Sequence, residues 1–386
     1  MKILHIIPSY KPAFIYGGPI YSVSTLCEAQ AALGHQVFVF ATDANGKSNL
    51  SVPLKKIQWV NRVGVYYFPR ITGDHTHVSH SLWKYLAKNA KNYDVVHLHS
   101  WWSILMIGCA WVLKWKNIPF ILSPRGMFST YSFGNNATTL KKRIFFDWFS
   151  KPILQKQVFH ATAASEQSEI HDLFGAGAKV FTLPNLLQFP NLLPFDIGQH
   201  NQRNTIKLLF ISRVDPKKGI ELLLHAMQQL HKAAMPIHLT IIGSGSHAYE
   251  NELKKLARSL SIESVVTWKG SVEWRAKFDD ILACDVLVLP SYNENFANIV
   301  LETLYAGRPV IVSKHVGLSD YVEAQKMGWV IEADTGSIVN AVKQFSEQKQ
   351  YWQSKSLQMH NQIQADFAIT KLAEAYIDNY KTYFKV

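Results

Sequence analysis

Short, continuous apolar runs separated by helix-length stretches recur along this whole chain, and no other feature constrains the fold as strongly. In the first half the runs occupy residues 2–7, 36–41, 64–68, 94–97, 119–122 and 158–162. In the second half they occupy 207–212, 238–242, 265–268, 285–289, 309–312 and 329–331. A strand with one face in water alternates apolar and polar residues, whereas a run that is apolar throughout is the pattern of a central parallel strand covered on both faces. Helix candidates at 22–33, 219–231, 249–260 and 298–305 lie between the runs. Strand–helix alternation in both halves predicts an α/β chain of two Rossmann-like, doubly wound domains.

With 386 residues the chain is too long for one typical core and comfortable for two. The boundary is expected between Leu186 and Thr205, a stretch rich in Pro, Asn and Gln that closes in the polar run 199–204. This predicts an N-terminal domain at 1–188 and a C-terminal domain at 205–365, with a last helix over 366–386 crossing back to the first. Doubly wound sheets bind ligands outside the carboxyl ends of their strands, so a ligand in the cleft between two such domains would meet the loops there.

Charge is divided unevenly between the halves. Residues 1–190 carry 19 Lys+Arg against 8 Asp+Glu, and the remainder 21 against 20. Such an excess suits a partner that is anionic: a phospholipid surface, a phosphorylated acceptor or nucleic acid, although solubility alone produces the same count. Nucleic acid ranks last, because no recognised binding module accompanies the charge. Cys27, Cys109 and Cys284 lie far apart among apolar neighbours, the pattern of buried reduced thiols in a cytosolic protein. The first apolar run is too short for a signal peptide, and the longest, 101–113, falls short of the roughly 20 residues that span a bilayer. A cytoplasmic protein is expected, with membrane contact at most peripheral and 101–113 a buried or interfacial helix. The stretch from Thr139 to Phe149 (TLKKRIFFDWF) is basic and aromatic, and it suits an anionic bilayer surface. A helix with its aromatics in the core would have the same sequence.

Three loops at strand ends carry the chemistry. Pro290-Ser291-Tyr292-Asn293-Glu294-Asn295-Phe296-Ala297-Asn298-Ile299-Val300-Leu301-Glu302 follows the run 285–289 directly. Its loop and first helical turn offer unpaired N–H groups and a positive dipole end to a diphosphate, and Asn295, Phe296, Ala297, Asn298, Ile299 and Val300 would form that cradle. Glu302 would accept from ribose hydroxyls, and Glu294 would sit beside the transferred sugar. Ser212-Arg213-Val214-Asp215-Pro216-Lys217-Lys218-Gly219 follows the run 207–212, where Arg213 and Lys218 could neutralise a departing diphosphate. Gly243 and Gly245, in Ile242-Gly243-Ser244-Gly245, lack the third glycine of a dinucleotide fingerprint, so a tight turn explains them as well as phosphate binding does.

Arg-x4-Lys-Gly, Gly-x-Gly and Glu-x7-Glu, in that order and each at a strand end, resemble the retaining glycosyltransferases of family 4, which have the GT-B fold. The resemblance covers nearly the whole chain and is most specific over 213–312. Tyr16-Gly17-Gly18-Pro19 resembles the family's glycine-rich acceptor loop, in which Gly17 and Gly18 allow close backbone approach. Asp94-Val95-Val96-His97-Leu98-His99 and Leu183-Pro184-Asn185 also resemble family segments, and they make His99 a candidate and Asn185 either a site or a turn residue. The resemblance implies transfer from a nucleotide-sugar donor to a saccharide acceptor with retained configuration, in bacterial surface-glycan synthesis. It also implies no metal and no separate cofactor, and the sequence offers no Asp-x-Asp pair for a diphosphate-bound cation. The basic first half favours a lipid-linked acceptor at an anionic membrane surface.

Two departures stand out. Many family members have a histidine–glycine pair where this chain has Arg125-Gly126. Arginine cannot act as a general base at neutral pH, but it can bind a phosphate or hold sugar hydroxyls, so Arg125 becomes a site candidate. Asn295 and Ala297 stand where Glu-Gly-Phe-Gly is common, which puts side chains where open backbone would meet the donor sugar. A sugar-nucleotide epimerase of the same architecture remains the competing enzyme class, because it needs the same donor and no acceptor.

Overall fold

The protein is described here from a computed structural model, which covers residues 1–133, 137–193, 197 and 204–384, with only the backbone of 137–140. It divides into two units, Met1–Gln188 with Phe367–Val386, and Phe189–Asp366. The polar run at 199–203, read from the sequence as part of the boundary, lies outside the described residues.

In the first unit the strands are β1 (Lys2–Ser9), β2 (Gln36–Thr42), β3 (Ala44–Asn45), β4 (Ser48–Asn49), β5 (Ile57–Val60), β6 (Val63–Phe68), β7 (Val95–His99), β8 (Ile121–Ser123), β9 (Val158–Ala161) and β10 (Lys179–Thr182). Eight of them form one sheet in the order β10-β9-β8-β7-β1-β2-β6-β5, parallel except for β5, while β3 and β4 make a separate two-stranded ribbon. Period-two geometry sorts the side chains into two cores. Leu4, Ile6, Phe40, Phe68, Leu98, Leu122 and Phe159 pack on one face with the helices His80–Asn89 and Ile104–Trp115. Val37, Val39, Ala41, Val63, Val65 and Tyr67 pack on the other with Val23 and Cys27 of the helix Gly18–Ala32. The last helix, Ile369–Phe384, packs against Gly18–Ala32, so both faces are covered.

The second unit contains β11 (Ile206–Ile211), β12 (Ile237–Ile242), β13 (Val266–Gly270), β14 (Val286–Leu289), β15 (Val310–Ser313) and β16 (Gly328–Ile331). All pair in parallel in the order β13-β12-β11-β14-β15-β16. β14 and β15 are buried at every residue, as continuous Val/Ile/Leu runs require. Strand order reverses between β11 and β14, and the loops leaving those two strands flank the switch point.

All twelve strands expected from the sequence form, with ends shifted by one or two residues. The ones it did not reveal are short: β3, β4, the antiparallel edge β5 and the edge β10. All three cysteines are buried and free.

Candidate functional site

In the second unit the loops after β11, β12 and β14 interlock. The Val214 N–H donates to the Ser244 carbonyl at 2.9 Å, and the Tyr292 N–H donates to the Lys217 carbonyl at 2.8 Å. Glycines permit this approach: a Cβ on Gly243 would stand 1.8 Å from the Ser212 oxygen, and one on Gly245 1.9 Å from the Val214 oxygen. The neighbouring turn thus occupies the side of each glycine where a ligand would have to approach in place of a side chain. Gly219, at φ +66°, faces the Pro290 oxygen in the same way, at 2.4 Å from a Cβ. Glu221 fastens the arrangement from below, accepting from the Tyr249 and Tyr292 hydroxyls at 3.0 and 3.1 Å. Burial and the Glu221 charge push the Tyr292 hydroxyl up to about 12.

Three cations gather on the first of these loops. Arg213 is exposed and has no ion pair among the described residues, while Lys218 is buried and paired with the Glu294 carboxylate. Lys217 lies with them: burial lowers its pKa, and the charges of Lys218 and Arg213 lower it further against the pull of Glu294. Glu294 is itself held from the β15 side, donating its N–H to the His315 carbonyl at 3.0 Å and accepting from the Gly317 N–H at 2.8 Å.

Beyond Glu294 the chain turns through Ala297 at φ +67°, a left-handed conformation rare outside glycine, into the eight-residue helix Asn298–Tyr305. No side chain caps this helix. Its first turn is Asn298, Ile299 and Val300, and the Val300 N–H bonds back to the Ala297 carbonyl at 2.9 Å. Phe296, Ala297 and Val300 are buried, and the Val300 N–H expected to cradle a diphosphate is taken up by Ala297, while Asn295, Asn298 and Ile299 are half-buried. Glu302, one turn further in, is enclosed, and both its oxygens accept from Lys277 Nζ at 2.7 and 2.6 Å. Lys277, on the helix Ala276–Ala283, carries no motif and was not singled out from the sequence.

The first unit gathers its candidates at the ends of β1, β7 and β8. Gly17 caps the helix Gly18–Ala32 at φ +67° with open space where a Cβ would be, so its backbone angle, not packing, demands glycine. Gly18 is that helix's first residue. Arg125 follows β8 in the left-handed region, at φ +56°. Its Nη1 donates to Ser22 Oγ at 3.1 Å and to Asn185 Oδ1 at 3.0 Å, and its Nη2 to His99 Nδ1 at 3.3 Å. Its Nε is enclosed and unpartnered. Glu166 is committed elsewhere, to the N–H groups of Gly126 and Thr162 at 2.7 and 2.8 Å.

His5, His97 and His99 are wholly buried, with ring nitrogens within 4.8 Å of one another. That spacing would suit a metal, but all six nitrogens are already hydrogen-bonded: to Gln30, Tyr380, Ser123, Arg125 and each other. Burial lowers the pKa of all three, His5 to about 4, and the Arg125 charge lowers them further. The donor set therefore holds neutral, engaged imidazoles beside a guanidinium, which does not fit a cation. Sequence reasoning reached His99 but not His5, His97, His160, Gln30 or Tyr380. The available signal was the period-two spacing of His97 and His99, and strand register was needed to bring the others to them.

A family model described as Glycosyl transferases group 1 matches residues 195–364, and one described as Glycosyltransferase Family 4 matches residues 16–187. The chain belongs to these group 1/family 4 glycosyltransferases, with the GT-B fold. It is 28% identical over 270 residues to the D-inositol 3-phosphate glycosyltransferase of Kineococcus radiotolerans, covering 64% of this chain and 60% of that one. It is 29% identical over 152 residues to WcaL of Escherichia coli K12, provisionally named a colanic acid biosynthesis glycosyltransferase, covering 37% and 36%. The matches thus span between about a third and three fifths of those relatives' length. The crystal structure of Anabaena HepE in complex with UDP and glucose superposes with a TM-score of 0.73 at 18% identity, covering 99% of this chain and 100% of that one. Among the described residues no helix is long and apolar enough to cross a membrane.

Proposed function

We propose that the protein transfers a sugar from a nucleotide-sugar donor to a saccharide acceptor with retention of configuration, in the synthesis of a bacterial surface glycan. The observation that carries this reading is the gathering of Arg213, Lys217, Lys218, Glu294 and the uncapped Asn298 helix at the ends of β11 and β14, either side of the switch point. The donor's diphosphate binds against Arg213 and the positive end of the Asn298 helix, and draws Lys218 partly from Glu294 as charge builds on the leaving oxygen. Glu302, oriented by Lys277, accepts from the ribose hydroxyls. Glu294 meets the transferred sugar. The acceptor hydroxyl attacks the anomeric carbon on the face the diphosphate leaves, one C–O bond replaces the other, and the acceptor's proton passes to the departing phosphate oxygen. No metal is required, because fixed cations and the helix end supply the positive charge. Arg125 and the Gly17 turn contact substrate on the first unit.

A UDP-sugar is the first donor to try, given that HepE was solved with UDP and glucose. UDP-, GDP-, ADP- and dTDP-sugars are compared by thermal shift without metal. One nucleotide class should stabilise the wild type, and the gain should vanish in Glu302→Ala and Arg213→Ala. No stabilisation by any of them would remove the donor site. An inverted anomer in the product's NMR spectrum would remove retention.

The acceptor is lipid-linked, on this reading, and the protein meets an anionic membrane through the first unit. The helix Ile104–Trp115 buries Leu105, Met106, Cys109, Ala110 and Leu113 but exposes Ile104, Trp111 and Trp115 beside Lys114 and Lys116. Lys114 Nζ reaches the Pro152 carbonyl at 3.0 Å, joining this helix to the segment that exposes Ile144, Phe145, Trp148 and Phe149. Of the aromatics in that segment, only Phe146 packs inward. Exposed aromatics bordered by lysines are the composition of an interfacial surface. Sedimentation with phosphatidylglycerol vesicles should exceed that with phosphatidylcholine and fall in Trp115→Ser/Trp148→Ser. Equal sedimentation with both lipids would exclude the surface.

A further inference from the structure

Arg125 is half-buried and differs from Arg308 and Arg70, the buried arginines, in what surrounds it. Arg308 donates to the backbone carbonyls of Cys284, Leu282, Ala306 and Ile197, and Arg70 to those of Gly46 and Ser48. Arg308 is a structural clamp on backbone, and Arg70 adds the Asn49 side-chain oxygen at 2.7 Å while its Nη1 is also enclosed without a partner. Arg125 instead meets a histidine nitrogen, a serine oxygen and an amide oxygen, with no carboxylate in ion-pair range among the described residues. Two of its five N–H groups, Nε–H and one on Nη2, are left over.

The hydrogen bonds leading away from Arg125 have one possible direction. A guanidinium only donates, so His99 Nδ1 accepts and its Nε2 carries the proton. His99 Nε2–H then donates to His5 Nδ1 at 2.9 Å, and His5 Nε2–H to Gln30 Oε1 at 2.8 Å. The Gln30 amide donates to the Tyr380 hydroxyl at 3.3 Å. The far end fixes the same direction independently. The Leu183 carbonyl only accepts, so His160 Nε2–H donates to it at 2.9 Å, shared with the Tyr376 hydroxyl at 2.8 Å, which itself donates to the Pro184 carbonyl at 3.3 Å; His160 Nδ1 then accepts from Ser123 Oγ–H at 2.6 Å. Ser123 accepts from His97 Nε2–H at 2.6 Å, and His97 Nδ1 accepts from the Tyr380 hydroxyl at 2.7 Å. The two derivations meet at Tyr380 without a mismatch. All four imidazoles are neutral Nε2–H tautomers on one face of β1, β7 and β9.

We propose that Tyr380, Gln30, His5 and His99 are positioning residues: a one-way chain of neutral hydrogen bonds, anchored on the last helix, that holds the Arg125 guanidinium uncompensated for a phosphate or carboxylate group of the ligand. This rests on the reading of Arg125 as a substrate contact. Neutral acceptors fix the guanidinium without cancelling its charge, whereas a carboxylate in their place would leave little for a ligand to pair with. Burial holds the pKa of His5 down at about 4 and that of His99 well below the usual range, so the chain stays neutral at physiological pH.

The test uses full-length protein labelled with 15N at histidine and arginine. Long-range 1H–15N spectra at pH 7 should show Nε2–H tautomers at His5, His97, His99 and His160. An Nδ1–H tautomer or an imidazolium at His5 or His99 overturns the chain. Tyr380→Phe removes its central hydroxyl, and Gln30→Met removes a donor and an acceptor at similar volume. Both should shift the Arg125 Nε signal, while Tyr383→Phe, on the same helix but bonded to the Val180 carbonyl, should not. An unmoved Arg125 signal in a folded Tyr380→Phe or Gln30→Met overturns the positioning role, and if neither variant folds the wild-type tautomers decide. Inorganic phosphate should shift the wild-type Arg125 signal and bind roughly tenfold more weakly to the variants. No response to phosphate, with the tautomers as derived, overturns the ligand reading of Arg125 and leaves the chain standing. A further shift with UDP-glucose would assign the anionic group to the donor, and a phosphate response alone would assign it to the acceptor.

Discussion

Acidification should unfold the first unit, and the size of the effect follows from the buried imidazoles. His5 is held down at about 4 and His160 at about 3, with His97 and His99 also well below the usual range, in each case mainly by burial. A group whose folded pKa is lowered in this way contributes nothing to pH dependence above its unfolded value of about 6.5, and it destabilises as pH falls below that value. Between pH 6.5 and 5 the unfolded ring takes up most of a proton that the folded ring refuses, which costs roughly 1–2 kcal/mol per histidine and about 6 kcal/mol for the four. Glu169 opposes this: burial pushes its carboxyl up to about 7, so over the same interval the folded state holds a proton that the unfolded state lacks. Its partial exposure limits the offset to about 1 kcal/mol. The net loss from these five groups, about 5 kcal/mol, is comparable with the whole stability of a typical domain, and His77, also buried and held down at about 4, adds to it. Urea unfolding at fixed ionic strength, followed through histidine ring NMR signals so that the first unit's transition is isolated, measures it directly. The reasoning fails if stability changes by less than about 2 kcal/mol between pH 6.5 and 5, or if His160→Gln does not reduce the slope by about a quarter.

Other consequences are more local. Gly243→Ala would push a Cβ to within 1.8 Å of the Ser212 oxygen, so a loss of about 3 kcal/mol or more is expected in a melting experiment. Gly17→Ala has a similarly positive φ but open space around it, and should cost only about 1 kcal/mol. Lys277→Met leaves the enclosed Glu302 carboxylate without its cation and should destabilise by about 3 kcal/mol. Adding Glu302→Gln should recover most of that loss in a double-mutant cycle, and additive losses would mean that the two residues do not act as a pair.

The chain segment from β14 into the Asn298 helix was readable from sequence because everything it needs is contiguous. An apolar run sets the strand, a polar loop leaves its carboxyl end, and a helix follows at Asn298. The same locality made Arg213, Lys218 and Glu294 visible, since each lies within a few residues of a strand end. Arg125 was visible for another reason: arginine stands where the family pattern has histidine. The edge strands β5 and β10 were missed because four residues with one covered face give too little periodicity to separate from a loop.

Sequence by itself thus determined the class of architecture, the parallel sheets and the loops on which charged groups sit, because strand and helix periods are short-range properties of the chain. Tertiary structure alone decided what those groups touch. Lys277 meets Glu302 across 25 residues, and Gln30 meets Tyr380 across 350. His5 lies opposite His97 only because β1 and β7 pair in that register, and a slip of one residue would turn the ring to the other face of the sheet. Such meetings depend on how strands align and where the last helix packs, and no local pattern encodes either.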